Sequence, residues 1–123
     1  MQIAVVGCGF VADYYLNTLR NHPGLEVAGV FDRDPERAER FARFHRLLQY
    51  RSLDEALEDP RAELVVNLTN PSSHHEVSLA ALERGKHVYS EKPLALSLDQ
   101  AKALVTLAEQ KRLVLAGAPC TVL

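Results

Sequence analysis

The chain opens MQIAVVGCGFVAD. Four apolar residues, Ile3 to Val6, run directly into Gly7, Cys8 and Gly9, and Ala12 follows three residues later. Glycine is entropically costly where a strand hands over to a helix, so this spacing marks a place where main chain must be approached closely. In a strand–turn–helix unit Gly7 permits the tight turn. Gly9 lacks a Cβ and leaves room for a phosphate, and Ala12 is the small residue at which helix packs on strand. The helix start presents free N–H groups and a partial positive charge to an anion. Phe10 and Val11 lie in the same stretch, so Gly7, Gly9, Phe10, Val11 and Ala12 form the first set of candidate ligand contacts.

Beyond this turn, short apolar runs alternate with helical patterns. Strands are expected at Ile3–Val6, Val27–Phe31, Leu47–Tyr50 (weakly), Leu64–Leu68, His87–Tyr89 and Leu113–Ala116. A helix is expected from Phe10 to Arg20, stopped by His22-Pro23-Gly24. A second follows Asp34-Pro35, an N-cap and a first-turn proline, with Ala38, Phe41, Ala42 and His45 on its buried face. Ser52 with Glu55, and Ser73 with Glu76, match the capping-box pattern; the second of these helices ends at Arg84, with Gly85 as its exit. Ser97 and Gln100 open the last helix, where Ala101, Leu104, Val105 and Ala108 share a face. Strands alternating with helices imply βαβ units and a parallel sheet. Continuous apolar strands imply a sheet covered on both faces. The expected fold is α/β, a doubly wound parallel sheet of the Rossmann type, with residues 1–123 forming one domain.

A glycine turn alone is a weak signal. Here a strand precedes it, a helix follows it, and an acid, Asp32, ends the second strand about twenty residues on, which is the context a dinucleotide site requires. The Asp32 carboxylate can accept bonds from both adenosine ribose hydroxyls. A 2′-phosphate beside it would be repelled by about 4 kcal/mol per unit-charge pair at 4 Å and an effective dielectric near 20. NAD is therefore expected over NADP, although the adjacent Arg33 is placed to hold such a phosphate.

Composition excludes other classes. Net charge is −2, and the few aromatics are not interleaved with Lys or Arg, so no nucleic-acid partner is indicated. No apolar run approaches membrane-spanning length, and no targeting segment is visible. The two cysteines, Cys8 and Cys120, match neither a disulfide framework nor a metal motif, which suits a cytoplasmic protein with free thiols. Cys8 reads as filler between glycines rather than as an activated thiol. His74 and His75 adjoin, but no Cys or carboxylate set completes a coordination shell, so no metal is expected. Helix-start hydrogen bonding or substrate-side positioning is expected of His74, while His75 is expected to face solvent and His87 to be structural.

The stretch NLTNPSSHHEVSLAALERGKHVYSEKPLALSLDQA narrows the reading. Ligands in open α/β sheets bind outside the carboxyl ends of the strands. Gly7, Gly9, Asp32, Asn70, His74, Glu91 and Lys92 should therefore line one edge, and Thr69 beside Asn70 is a further cofactor-contact candidate. With GCGFVA, TNPSSH and above all ALERGKHVYSEKPLA, the chain resembles the Gfo/Idh/MocA family, the glucose-fructose oxidoreductase and inositol dehydrogenase group, over nearly its whole length.

That resemblance implies an NAD(P)-binding domain of an oxidoreductase that moves hydride between nicotinamide and a sugar, polyol or related alcohol. It makes Lys92 the active-site lysine and Glu91 a cofactor contact. The bond before Pro93 is often cis in such proteins, and His74 matches the family's histidine at that position; Lys92 and His74 are thus the catalytic candidates. The order Thr69-Asn70-Pro71 departs from the usual Thr-Pro-Asn, and neither Thr69 nor Asn70 receives an individual contact. Family members continue into a second, substrate-binding domain that is absent from these 123 residues. Cofactor binding with little turnover is therefore expected of this chain alone. A non-catalytic NAD-binding module, sensor or subunit is the alternative, and a homodimer is expected through the surface that would meet the second domain or through the sheet edge.

Overall fold

A computed structural model describes residues 1–119, and Cys120 lies outside the described residues. The elements follow the order β1 (Gln2–Val6), α1 (Phe10–Leu19), β2 (Glu26–Phe31), α2 (Pro35–His45), α3 (Leu53–Glu58), β3 (Leu64–Asn67), α4 (Pro71–Glu83), β4 (His87–Ser90), α5 (Leu98–Lys111) and β5 (Leu115–Gly117). The five strands form one sheet in the order β2-β1-β3-β4-β5, and every pair is parallel. This is the Rossmann fold expected from the alternation of strands and helices.

Side chains of β1 alternate between two cores. Ile3 and Val5 pack with Val30, Val66, Ala12, Leu16, Phe41 and Ala42 on the α1–α2 face. Ala4 and Val6 pack with Val65, Val88, Leu57, Ala81, Leu82 and Leu104 on the face covered by α3, α4 and α5. Burial on both faces is why β1 reads as an unbroken apolar run.

The chain leaves β1 toward β2 on one side and later returns to β3 on the other. The direction reverses between β1 and β3, and in open α/β sheets the ligand crevice lies outside the carboxyl ends at such a switch point.

Three local expectations are corrected. Leu47–Tyr50 is not a ladder strand but a single parallel bridge, Val30 with Gln49, on the outer side of β2. Two backbone bonds pair it with β2, Val30 N–H to Leu48 O at 2.9 Å and Tyr50 N–H to Val30 O at 2.8 Å. The Ser73–Glu76 box does not form. Proline at the first helical position starts α4 at Pro71 instead, and Asn70 caps without a side-chain bond. The last strand begins at Leu115 rather than Leu113. Arg112 adopts a left-handed conformation, Leu113 N–H turns back to Ala108 O at 2.8 Å, and Val114 N–H is taken by His87 Nδ1 at 2.9 Å.

The caps at Asp34, Ser52 and Ser97 form as expected: each side chain accepts a first-turn N–H. The buried face of α5 is narrower than the periodicity suggests. Leu104 and Ala108 are buried, while Val105 is 43% exposed. His87 is structural, since its ring nitrogen holds the entry to β5.

Candidate functional site

The glycine turn has two glycines with different reasons for being there. Gly7 has φ +102°, and a Cβ on it would lie 2.5 Å from the carbonyl carbon and oxygen of Leu68 and 2.8 Å from Thr69 N. The turn after β1 runs directly against the exit of β3, so the fold itself demands glycine. Gly9 sits in extended backbone at the cap of α1, and a Cβ there would meet nothing within 4 Å. No side chain caps α1. The protein does not fill the space before Gly9, and the first N–H groups of α1 face it without a side-chain acceptor. That is the cradle a diphosphate requires. Ala12 is fully buried beneath it, whereas Phe10 is 75% exposed and Val11 43% exposed.

Asp32 is buried at the end of β2. Its Oδ2 accepts Cys8 N–H at 2.9 Å and its Oδ1 accepts Asp34 N–H at 2.8 Å. A carboxylate offers about four acceptor positions, so two remain for ribose hydroxyls. The guanidinium beside this carboxylate comes from Arg37, at 3.8 Å. Arg33, the arginine expected to be able to hold a 2′-phosphate, lines the same crevice. Sequence reasoning missed Arg37; its signal was its place in the first turn of the helix that Asp34 caps.

A cavity of about 320 Å³ brings together Gly7, Gly9, Asp32, Arg33, Thr69 and Asn70, within the size range of small-molecule sites. Ser73 and Glu76 also line it, so the pair that resembled a capping box faces the crevice instead.

Glu91, Lys92 and His74 belong to the neighbouring strand ends. Glu91 follows β4, and its N–H is held by Asn67 O at 3.0 Å. Its Oε1 accepts the Tyr15 hydroxyl at 2.6 Å, and its Oε2 accepts Lys92 N–H at 3.2 Å. The Lys92–Pro93 bond is cis, and the Lys92 side chain is exposed. His74 is 1% exposed, with Nδ1 2.6 Å from Pro93 O and Nε2 2.7 Å from Thr69 O. Both ring nitrogens are engaged with backbone carbonyls, so the ring ties the Thr69 turn to the Pro93 turn and has no nitrogen left for a substrate. His75 is half-buried rather than fully solvent-facing.

Asn67, also missed, is buried at the end of β3. It donates to His74 O and Ser78 Oγ, both at 2.9 Å, and accepts Thr69 Oγ–H at 2.7 Å. An amide inside the apolar run LVVNL was the available signal. The Cys8 thiol is pushed up to about 12, by burial first and the Asp32 charge second. This agrees with filler rather than an activated thiol.

Comparison with known proteins decides the family. Residues 1–118 match the model of the Gfo/Idh/MocA family, described as an oxidoreductase family with an NAD-binding Rossmann fold. The chain belongs to this family. A Schizosaccharomyces pombe protein, uncharacterized oxidoreductase C26H5.09c, is 40% identical over 121 residues, which cover 94% of this chain and 32% of that protein. The scyllo-inositol 2-dehydrogenase (NAD(+)) of Bacillus subtilis is 37% identical over 106 residues, covering 84% of this chain and 31% of that enzyme. Biliverdin reductase from Synechocystis sp. PCC 6803, solved with biliverdin and NADP+, superposes with TM-score 0.89 at 28% identity, over 94% of this chain and 37% of that one. The chain thus spans about a third of the length of the relatives it matches. Over residues 1–118 it has that family's NAD-binding Rossmann fold. Among the described residues, no helix is long and apolar enough to cross a membrane, and no three His, Cys, Asp or Glu side chains gather as a metal site.

Proposed function

We propose that this domain binds NAD in preference to NADP and serves an oxidoreductase acting on a sugar, polyol or related alcohol. The observation that carries the reading is the pair of Asp32 and Gly9: a buried carboxylate wired to the glycine turn, beside a bare backbone position that the fold leaves open. Gly9 and the first turn of α1 would hold the diphosphate, and Asp32 the adenosine ribose. Thr69 and Asn70 stand on the other side of the crevice. Bound nicotinamide would supply the hydride acceptor or donor. Repulsion between Asp32 and a 2′-phosphate sets the preference, and Arg33 and Arg37 moderate it.

The substrate class rests on the family and on relatives such as the Bacillus inositol dehydrogenase. The biliverdin reductase illustrates that related chains take other substrates. Lys92 is exposed at the end of β4 and would donate to or polarise the substrate oxygen. His74 acts in this reading as a positioning residue. With about two thirds of the length of its relatives outside the match, this chain alone should turn over little, because hydride transfer needs substrate held at about 3–3.5 Å. A non-catalytic cofactor-binding subunit stays as the second reading for the same reason. Leu96, Leu98 and Val114 are exposed, which suits contact with a second copy or a second domain.

Calorimetric titration of the 123-residue chain with NAD and NADP tests the central reading, with a sugar or inositol dehydrogenase assay alongside. Tighter binding of NAD without measurable turnover is the expected result. Tighter binding of NADP, or none of either, overturns it.

A further inference from the structure

One hydrogen bond joins the helix of the glycine turn to the loop after β4. Tyr15 lies six residues past Gly9 on α1, and its hydroxyl donates to Glu91 Oε1 at 2.6 Å across 76 residues of sequence. Its ring is half-buried and meets Tyr89 edge-on, with centroids 6.1 Å apart. The other carboxylate oxygen holds Lys92 N–H, and Glu91 N–H is held by Asn67 O. Glu91 is thus fixed at its backbone by β3 and at its side chain by α1.

The crevice gives this link a direction. Asp32 stands at the end of β2, on one side of the switch point, and is the acceptor for the adenosine ribose. A dinucleotide whose diphosphate lies at Gly9 must send its other half away from Asp32, over the ends of β3 and β4. Glu91 is the carboxylate at that end. A free glutamate samples several rotamers, and ordering one costs free energy on binding. Tyr15 settles that rotamer before any ligand arrives, and burial, then the hydrogen bond to Glu91, push the phenol's ionisation well above its ordinary value, so it remains a donor.

We propose that Tyr15 is a positioning residue for the nicotinamide-riboside half of the cofactor, acting through Glu91 and not by touching the cofactor itself. The proposal rests on the cofactor reading above and deepens it. Tyr15 holds the Glu91 carboxylate where it can accept hydrogen bonds from the ribose hydroxyls or carboxamide of that half.

The test compares NAD with ADP, which carries the adenosine and diphosphate but not the nicotinamide riboside. Titrations use wild type, Tyr15→Phe, Glu91→Gln and the double variant. Leaving the Glu91 side chain to be ordered on binding corresponds to up to about tenfold in affinity. NAD binding should weaken about tenfold in Tyr15→Phe while ADP binding stays within about twofold, which also reports an intact fold. The double variant should lose no more than Glu91→Gln alone, since the two residues act as one unit. Unchanged NAD binding in Tyr15→Phe, equal losses for NAD and ADP, or additive losses in the double variant each overturn the proposal. Failure of the wild type to bind either ligand is a different result, and it overturns the cofactor reading together with this one.

Discussion

The carboxylate of Asp32 accepts the backbone N–H of Cys8 at 2.9 Å, so the residue that should grip the ribose also braces the glycine turn. Replacing it with Asn leaves one oxygen for two backbone donors, Cys8 N–H and Asp34 N–H. Asp32→Asn should destabilise the chain by about 1–3 kcal/mol. It should also weaken NAD binding and lower the NAD-to-NADP affinity ratio about tenfold, because the repulsion against a 2′-phosphate is gone. Titration of the variant with both cofactors checks this, and an unchanged ratio would remove Asp32 from cofactor selection.

The two glycines of the turn separate fold from ligand. Gly7→Ala puts a methyl 2.5 Å from Leu68 backbone at φ +102°; strain and overpacking together should cost about 2–4 kcal/mol. Gly9→Ala meets nothing within 4 Å and should change stability by no more than about 0.5 kcal/mol. If the diphosphate lies at Gly9 as proposed, the methyl occupies its space and NAD binding should fall sharply. Urea unfolding with parallel titrations measures both effects. Equal destabilisation by the two substitutions would contradict the assignment.

Much of the site was legible because its parts are local. Gly7, Gly9 and Ala12 declare themselves by spacing, and Asp32 by its place at a strand end. What stayed hidden depends on long-range placement. Tyr15 looks like any residue of an amphipathic helix until its hydroxyl is found on Glu91, 76 residues away. His74 looked like a reactive group because a motif singles it out, but folding buries it between two carbonyls. The Leu47–Tyr50 segment has the composition of a strand, yet among the described residues it meets the sheet as an isolated bridge at Val30, and composition does not report the number of partners. The start of β5 was misplaced because a side chain, His87, claims the backbone donor that would have extended the ladder.

Cys8 should resist modification. With its thiol raised to about 12 by burial and then by the Asp32 charge, the thiolate fraction at pH 8 is about one part in ten thousand. Iodoacetamide at pH 8, followed by mass analysis of the peptide carrying Cys8, should show no labelling of the native chain and full labelling in denaturant. Rapid native labelling at Cys8 would mean that the turn opens far more readily than its packing allows.

Acid stability should depend on Asp59. Its buried carboxylate accepts Arg61 Nη2 at 2.7 Å and Nε at 3.0 Å, and the Tyr50 hydroxyl at 2.6 Å. The Arg61 guanidinium leads in holding its ionisation well below the ordinary carboxylate range. A depressed folded-state value contributes stability above the unfolded value, about pH 4, and that contribution fades as pH falls through the folded value. Asp59→Asn should cost about 1.5–3 kcal/mol at pH 7 and progressively less below pH 4. Urea midpoints measured from pH 7 down to pH 3 test this; parallel curves for wild type and variant would show that Asp59 is not the titrating group.

His74 offers a choice between two roles that predict opposite results. A residue acting directly on substrate can be removed without harm to the fold or to cofactor binding, since neither depends on it. A ring that is 1% exposed and joins Pro93 O to Thr69 O at 2.6 and 2.7 Å cannot. Its removal leaves a cavity and takes the ring away from the Thr69 and Pro93 carbonyls. His74→Ala should therefore destabilise the chain by about 2–4 kcal/mol and loosen the Glu91–Pro93 turn that follows β4. NAD affinity should fall with it, at temperatures where the variant is still folded. A urea midpoint and an NAD affinity both at the wild-type value would return His74 to the list of groups that meet the substrate.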